Sequence, residues 1–369
     1  MNPPSPPGSA GSVGSAGRPA GPDLSGAPSS RRSAPGSGPD SHRVLLVAIA
    51  CSVAITLLVW ALGSRLDDVA LLPDQGAAWY YWKLPEPSVV TRISAWLPYL
   101  LHQVALWWLI RSAQQQRARY GRGLHWFNWA ALGVNAFFVL LHLVQTHVFY
   151  DGLAQDVSVF SSQGSVILLL VMVLIMESRR RGLLAGRRLG VPDTAIEVVK
   201  RYHGYVFAWA AVYTFWFHPM VATPGHLVGL VYMFLILVQG SLFFTRAHLD
   251  RRWTVVIEVL VLVHGALVAY AGANGLWPMF AFGFGAIFVG TQMYGLGWPR
   301  WARWLTVAVF VALVTVVYSG RGWGKVDEIV RIPVIEYGLA LLLAWLIVGV
   351  RWAVRRVGSR TAPAGQARA

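Results

Sequence analysis

The sequence predicts an all-α fold, a polytopic transmembrane helical bundle of about ten spans with its N- and C-termini in the cytoplasm. Of the 369 residues, 56 % are hydrophobic and 13 % are charged, whereas soluble domains are typically about 25 % charged. The apolar residues form ten runs that are each long enough to cross a bilayer. The basic residues cluster in alternate connecting segments, as in oriented membrane proteins. These observations exclude a soluble protein and a chain that is disordered throughout.

A spanning helix needs about 20 mostly apolar residues. In chain order, the runs cover residues 44–63, 93–110, 124–149, 157–176, 202–220, 226–245, 253–271, 276–296, 301–318 and 333–350. Their apolar residues are continuous, for example over 166–176, and do not alternate with polar ones as the strands of a membrane barrel would. The runs therefore predict helices.

Local signals distinguish several of these elements. The first run is long enough to be retained as a helix, unlike the short apolar core of a cleaved signal peptide. The third run ends before Gly152, and a tight turn containing Pro219 and Pro224 joins the fifth run to the sixth. The eighth carries several glycines, which allow neighbouring helices to approach closely. The eighth helix should therefore pack tightly against its neighbours.

Three regions follow along the chain. Residues 1–43 are rich in Pro, Gly, Ser and Ala and are predicted to be a disordered cytoplasmic tail. Residues 44–350 are predicted to form the ten-helix transmembrane domain, and 351–369 a basic cytoplasmic C-terminal tail. The single cysteine, Cys51, excludes a disulfide within the chain.

The orientation rests on the loops, because most of the 31 lysines and arginines lie in segments that share one side. We expect that side to face the cytoplasm, in a bacterial cytoplasmic membrane. The net charge of +15 is then explained by attraction to anionic lipid headgroups at the inner face. The expected partners are the lipid bilayer and those headgroups, not nucleic acid, and no feature predicts a protein partner.

Three histidines are predicted to lie near the bilayer midplane on three different helices, and they are His102, His142 and His264. They could bind one divalent metal, or two of them could hold the iron of haem b. Interhelical hydrogen bonding and a proton or substrate path are the alternatives. Asn128, Asn135 and Gln145 add a polar face to the third helix, which should point into the bundle.

A second group is predicted at the outer ends of the helices. It contains His147, Asp151, His218 and His226, as candidate catalytic acids and bases. His147, His218 and His226 are also candidate ligands of zinc or another divalent metal. The tight turn between the fifth and sixth helices should bring His218 and His226 close together. Ordinary hydration and capping of the loops is the alternative.

Two acids lie inside predicted spans, where ionisable groups are costly and mark candidate sites. Glu258 could extend to the inner surface or hold a proton for coupled transport. Glu336 is expected to form a structural pair with Arg331.

The leading hypothesis is a membrane-embedded enzyme or redox protein with a histidine-lined metal or haem site in the outer half of the bilayer. One alternative is a transporter or permease with a polar path along the third helix. Another is an enzyme like the ten-span membrane acyltransferases, although no motif of theirs is present. No internal repeat of the kind common in transporters is found, which favours the enzyme.

Overall fold

The computed structural model describes residues 38–73, 75, 82–271 and 275–361, with side chains to residue 356. These residues form ten α-helices and no strand, and helix accounts for 78 % of them. The helices are α1 Ser41–Leu62, α2 Val89–Gln115, α3 Trp126–Phe149, α4 Val159–Arg181, α5 Asp193–Phe215, α6 Pro224–Ser241, α7 Arg251–Ala271, α8 Trp277–Gly290, α9 Arg300–Arg321 and α10 Glu328–Thr361. The prediction of an all-α bundle is confirmed. Most of the predicted N-terminal tail, residues 1–37, lies outside the described residues.

Residues with short polar side chains cap the N-termini of several helices. The Ser88 hydroxyl accepts from the Thr91 amide and caps α2, and the Thr223 hydroxyl accepts from the His226 amide and caps α6. Pro224, which has no amide hydrogen to leave unpaired, is the first residue of α6. At its other end, α3 stops at Tyr150, whose φ of 45° is left-handed and cannot continue the helix.

Eight of the described helices are long and apolar enough to cross a membrane, and these are α1 to α4, α6, α7, α9 and α10. The chain is thus a multi-helix protein whose helices resemble those of a multi-pass membrane protein. The two remaining helices, α5 and α8, were also predicted as spans but are not among these eight. The α8 helix has only 14 residues, about 21 Å at 1.5 Å per residue. The α5 helix carries charged residues throughout its first three turns.

Two helices extend farthest beyond their predicted boundaries. The α5 helix begins at Asp193 and not at residue 202, and the Arg179 guanidinium binds the Asp193 carboxylate at 2.8 Å. This contact ties the start of α5 to the end of α4. The α10 helix runs for 34 residues with Pro333 inside it, so the predicted boundary at residue 351 falls within a helix.

The helices pack around two large buried apolar clusters, and a smaller third cluster lies between α1, α6 and α7. One large cluster is built mainly from α2, α3, α5 and α6, and the other from α4, α5, α8 and α10. The α5 helix therefore contributes to both. The α9 helix packs on α8 and buries a single residue, Tyr318. Each large cluster has a group of polar side chains beside it, and these two groups are the candidate sites.

Candidate functional site

Two loops meet at the end of the bundle where α3 and α5 terminate. The amides of Leu153 and Ala154 donate to the carbonyl oxygens of Trp216 and Phe217, at 3.0 and 2.9 Å. A Cβ added at Gly152 would lie 2.8 Å from the Phe217 carbonyl oxygen. Any side chain there would push the two backbones apart, so the contact requires glycine.

A chain of hydrogen bonds runs from this junction into the bundle. The Gln145 amide donates to the Asp151 carbonyl oxygen at 2.9 Å and to the Ser94 hydroxyl at 3.1 Å. Its Oε1 atom lies 2.9 Å from His142 Nδ1, and His142 Nε2 lies 3.1 Å from the His218 carbonyl oxygen. Both ring nitrogens of His142 thus face oxygen acceptors, and a neutral imidazole can donate to only one of them.

The side chains of His218 and His226 lie side by side, as the turn between α5 and α6 predicts. Their ring centroids are 4.4 Å apart and their planes cross at 82°. His218 Nδ1 lies 2.8 Å from the Pro219 carbonyl oxygen, so Nδ1 carries the proton and Nε2 is the basic nitrogen. Burial lowers the pKa of His218, which lies in the loop, to about 4. The ring is therefore neutral at physiological pH.

His226 is held through the cap of its own helix. Its Nδ1 atom lies 2.7 Å from the Thr223 hydroxyl oxygen, the same oxygen that accepts from the His226 amide. A hydroxyl can donate to or accept from an imidazole nitrogen. Thr223 therefore sets the ring orientation and leaves both tautomers of His226 available.

The third predicted metal ligand, His147, is engaged separately. Its Nδ1 atom donates to the Leu143 carbonyl oxygen one turn earlier, at 2.8 Å, and its Nε2 atom is buried without a hydrogen-bond partner in the described residues. Across the described ranges, no group of three or more His, Cys, Asp or Glu side chains is placed to hold a metal ion. The arrangement therefore brings His218 and His226 together without His147.

Asp151 is fully buried beside this junction. Its Oδ1 atom accepts from the Gly152 amide at 2.7 Å, and Oδ2 has no hydrogen-bond partner among the described residues. Burial raises the pKa of the carboxyl. The nearby Thr91 hydroxyl opposes that rise in part, although it donates to the Ser88 carbonyl. Asp151 contributes its backbone carbonyl to the hydrogen-bond chain, whereas its carboxyl accepts from the Gly152 amide.

Hydrogen bonds engage two of the predicted midplane histidines, His102 and His142. His102 Nε2 lies 2.8 Å from the Asn135 Oδ1 atom, and His102 Nδ1 accepts from the Trp216 indole at 3.3 Å. With one nitrogen donating and the other accepting, the neutral ring has no lone pair left for a metal. Both ring nitrogens of His142 face oxygen acceptors, and the neutral ring donates to one of them. This donor set does not favour a haem iron or a shared metal.

His264 lies apart from these two, against α6. Its ring is so close to Gly229 that a Cβ there would be 2.7 Å from His264 Cε1. Its centroid is 6.3 Å from that of Tyr232, and its Nδ1 atom has no hydrogen-bond partner in the described part of the chain. His264 is close enough to interact electrostatically with both His218 and His226.

The polar face of α3 is buried, as predicted, and binds α6. The Asn128 amide donates to the carbonyl oxygens of Ser241 and Phe243 at 2.8 and 2.9 Å. The Asn135 amide donates to the Ser241 hydroxyl at 2.8 Å and, more weakly, to the Leu237 carbonyl at 3.4 Å. These side chains satisfy the carbonyls at the end of α6, which is the interhelical role considered for them.

A groove of about 510 Å³ lies between α1 and α6 and is lined almost wholly by apolar side chains. Leu57 and Trp60 of α1 form one wall and remain more than half exposed. Val231 and Tyr232 of α6 form the other wall, with Leu260 of α7 at the base. In a bilayer this groove faces hydrocarbon.

The second polar group was not predicted from the sequence as a site. Arg181, at the end of α4, has a side chain with no exposed surface, and its Nη1 atom binds the Glu258 carboxylate of α7 at 2.6 Å. The sequence predicts Arg181 in a basic inner loop. It also predicts that Glu258 either extends to the inner surface or holds a proton. The observed ion pair with Arg181 replaces the predicted extension of Glu258 to the inner surface.

The predicted pair between Glu336 and Arg331 is wrong. Arg331 binds Asp327, one turn earlier on α10, at 2.6 Å. Glu336 is instead turned inward, with 2 % of its surface exposed. It lines an enclosed cavity of about 20 Å³ together with Arg181 and Glu258.

The one available sequence signal for this cluster was charge balance. An acid inside a spanning helix needs a basic or hydrogen-bonding partner on another helix. Only the last turn of α4 supplies arginines at a comparable depth, but Arg179, Arg180 and Arg181 are consecutive. Which of them points inward depends on how α4 packs.

The described residues thus offer two candidate sites, the His218–His226 pair at one end of the bundle and the Arg181 cavity within it. The first contains two histidine rings in contact, and the second contains buried charges. Compared with protein-family models, with curated proteins and with solved structures, the chain has no match.

Proposed function

We propose that this chain is a membrane-embedded enzyme whose acid–base chemistry takes place at the His218–His226 pair. The observation that carries the proposal is the contact of the two rings at 4.4 Å, with the Pro219 carbonyl fixing the His218 tautomer. A histidine held in this way presents Nε2 as a general base. Two adjacent imidazoles can serve as a base and an acid in one reaction.

The two rings would have different roles. His218 is neutral because burial lowers its pKa to about 4, and we propose that its Nε2 atom takes a proton from a hydroxyl group or a water molecule. The proton taken by His218 would pass to His226, whose Nδ1 lies against the Thr223 hydroxyl, and from His226 to the leaving group. The Gly152 contact and the bond from His142 to the His218 carbonyl hold this loop in position.

We propose that the substrate carries an acyl or prenyl chain. The support is the groove between α1 and α6, whose apolar lining suits a hydrocarbon chain and not a polar solute. Tyr232 lines the groove and lies beside His264, which interacts electrostatically with the histidine pair. A chain lying in the groove would therefore direct its polar end toward the two rings.

The other hypotheses receive less support. A polar path along α3 would need free polar groups, but Asn128 and Asn135 already donate to α6. A metal or haem site would need imidazole lone pairs that His102 uses in hydrogen bonds. An enzyme like the ten-span acyltransferases is compatible with our proposal. We also propose a bacterial cytoplasmic membrane as the location, with anionic lipid at the basic inner face.

The test is a comparison of lipid extracts by mass spectrometry. A strain lacking the gene is complemented with the wild-type chain, with His218→Gln or with His226→Gln. We expect a lipid that accumulates in the deletion strain to be converted by the wild type and by neither variant. His203→Gln is the matched control, because the described hydrogen bond of the His203 ring goes to the Lys200 carbonyl within α5.

A second variant examines the substrate. Val231→Trp fills the groove without touching the histidine pair, and we expect it to block conversion of the same lipid. Identical lipid profiles in the deletion strain and the complemented strain, with the wild-type chain present in the membrane, would refute the enzyme. Unchanged conversion by Val231→Trp would refute the groove as the binding site.

A further inference from the structure

The cavity between α4, α7 and α10 contains polar atoms that the proposed enzyme does not use. Arg181 Nε and Nη2 are buried and have no hydrogen-bond partner among the described residues. Glu336 Oε2 is also buried and has no hydrogen-bond partner among the described residues. Both side chains line the cavity. A buried polar atom without a partner is costly, so these three atoms indicate that something is bound there.

The charges around the cavity limit which species can be bound there. Arg181 and Glu258 form an ion pair at 2.6 Å and cancel each other. A second carboxylate at Glu336 would leave an uncompensated negative charge in a low-dielectric interior, which is strongly disfavoured. The other titratable groups that interact with this cluster are Glu177 and Arg180 of α4, Tyr232 of α6 and Tyr337 of α10. Arg180 is already engaged by Glu177.

We propose that Glu336 is an intramembrane proton-binding site, occupied by a proton, with one water molecule between its carboxyl group and the Arg181 guanidinium. The cavity volume of about 20 Å³ exceeds the roughly 10–15 Å³ that a single water needs. A water there accepts from the unpartnered Arg181 nitrogens and donates to Glu336 Oε2. The ligands are thus a proton and a water.

Proton loss at Glu336 would change the packing of three helices. Arg181 would then stand between two carboxylates, Glu258 on α7 and Glu336 on α10, with donors directed at each. The cluster would hold a net negative charge until the proton returned. The inference concerns α4, α7 and α10 only and does not depend on the histidine pair.

Infrared spectroscopy of the wild-type protein in lipid bilayers tests the proton directly. A protonated carboxyl gives a carbonyl-stretch band that a carboxylate lacks. The protein is prepared with and without ¹³C-labelled glutamate, and we expect a band at neutral pH that shifts with the label. Apart from exposed Glu86, the other described glutamates lie in ion pairs, so this band belongs to Glu336. Absence of a label-sensitive band overturns the proposal.

Variants assign the band and test the water. Glu336→Gln removes the band, whereas Asp151→Asn and Glu197→Gln retain it. Retention of the label-sensitive band in Glu336→Gln overturns the assignment. Val173→Leu places an additional methylene in the cavity wall and shifts the band by displacing the water, whereas Val256→Leu on the exposed face of α7 does not. An unshifted band in Val173→Leu overturns the bridging water.

Discussion

The polar region between α3 and α6 and the one between α4, α7 and α10 satisfy their buried groups differently. The first is made of neutral side chains, such as Asn128, Asn135 and His102, and their described hydrogen bonds are nearly complete. The second is made of charges, and both Arg181 and Glu336 retain unpartnered atoms. The comparison teaches that the number of polar residues in a helix is a poor guide to a site. The polar atoms that remain unsatisfied after packing are a better one.

The largest expected effect comes from breaking the buried ion pair. Arg181→Gln leaves Glu258 without a countercharge and should lower the free energy of unfolding by about 3–5 kcal/mol. The double variant Arg181→Met, Glu258→Leu should recover most of that loss, because well-packed apolar residues can replace a buried pair. Thermal unfolding in detergent measures both. Arg331→Gln, which breaks an exposed pair, should cost no more than about 1 kcal/mol.

The buried His218 ring should make the free energy of unfolding depend on pH. His218 has a pKa of about 4 in the folded chain against 6.5 ordinarily, so the unfolded chain binds more protons between these values. Stability therefore rises with pH across that window and is lost on acidification. The contribution is at most about 3 kcal/mol. His218→Gln should flatten the acid side of a melting-temperature profile, and an unchanged slope would contradict the burial of this ring.

Next in size is the contact between the two loops. Gly152→Ala would place a methyl group 2.8 Å from the Phe217 carbonyl oxygen, and overpacking of this kind costs about 1–3 kcal/mol. Gly164→Ala is the matched control, because nothing lies within 4 Å of its added Cβ and alanine favours a helix over glycine by about 1 kcal/mol. Thermal unfolding of the two variants should therefore shift in opposite directions. A loss in both would show that the Gly152 contact is not specific.

The smallest effect should come from the neutral network. Asn128→Ala removes two bonds to α6 carbonyls and the one that accepts from the His125 amide. At about 0.6 kcal/mol for each bond within a membrane, the loss is roughly 2 kcal/mol. Gln163→Ala, on the exposed face of α4, should have little effect. If Asn128→Ala cost as much as Arg181→Gln, the contrast between the two regions would fail.

The sequence predicted the fold well and the sites unevenly. Continuous apolar runs determine helices in hydrocarbon, because the other arrangement that satisfies its backbone hydrogen bonds there, a closed barrel, requires alternating apolar and polar residues. The proximity of His218 and His226 followed from a short proline-containing turn. The start of α5 at Asp193 was missed because its first turns are polar and are stabilised by Arg179 of α4. Arg181 and Glu336 were misplaced because their directions depend on packing between helices.

The proline inside α10 has a mechanical consequence. Pro333 cannot donate to the carbonyl of Ile329, so the helix bends there more easily than elsewhere. The segment beyond it, to Thr361, is about 42 Å long at 1.5 Å per residue, and Glu336 lies one turn from the bend. A small rotation about Pro333 would therefore displace the basic C-terminal end of α10 much farther than it displaces the Glu336 carboxyl group.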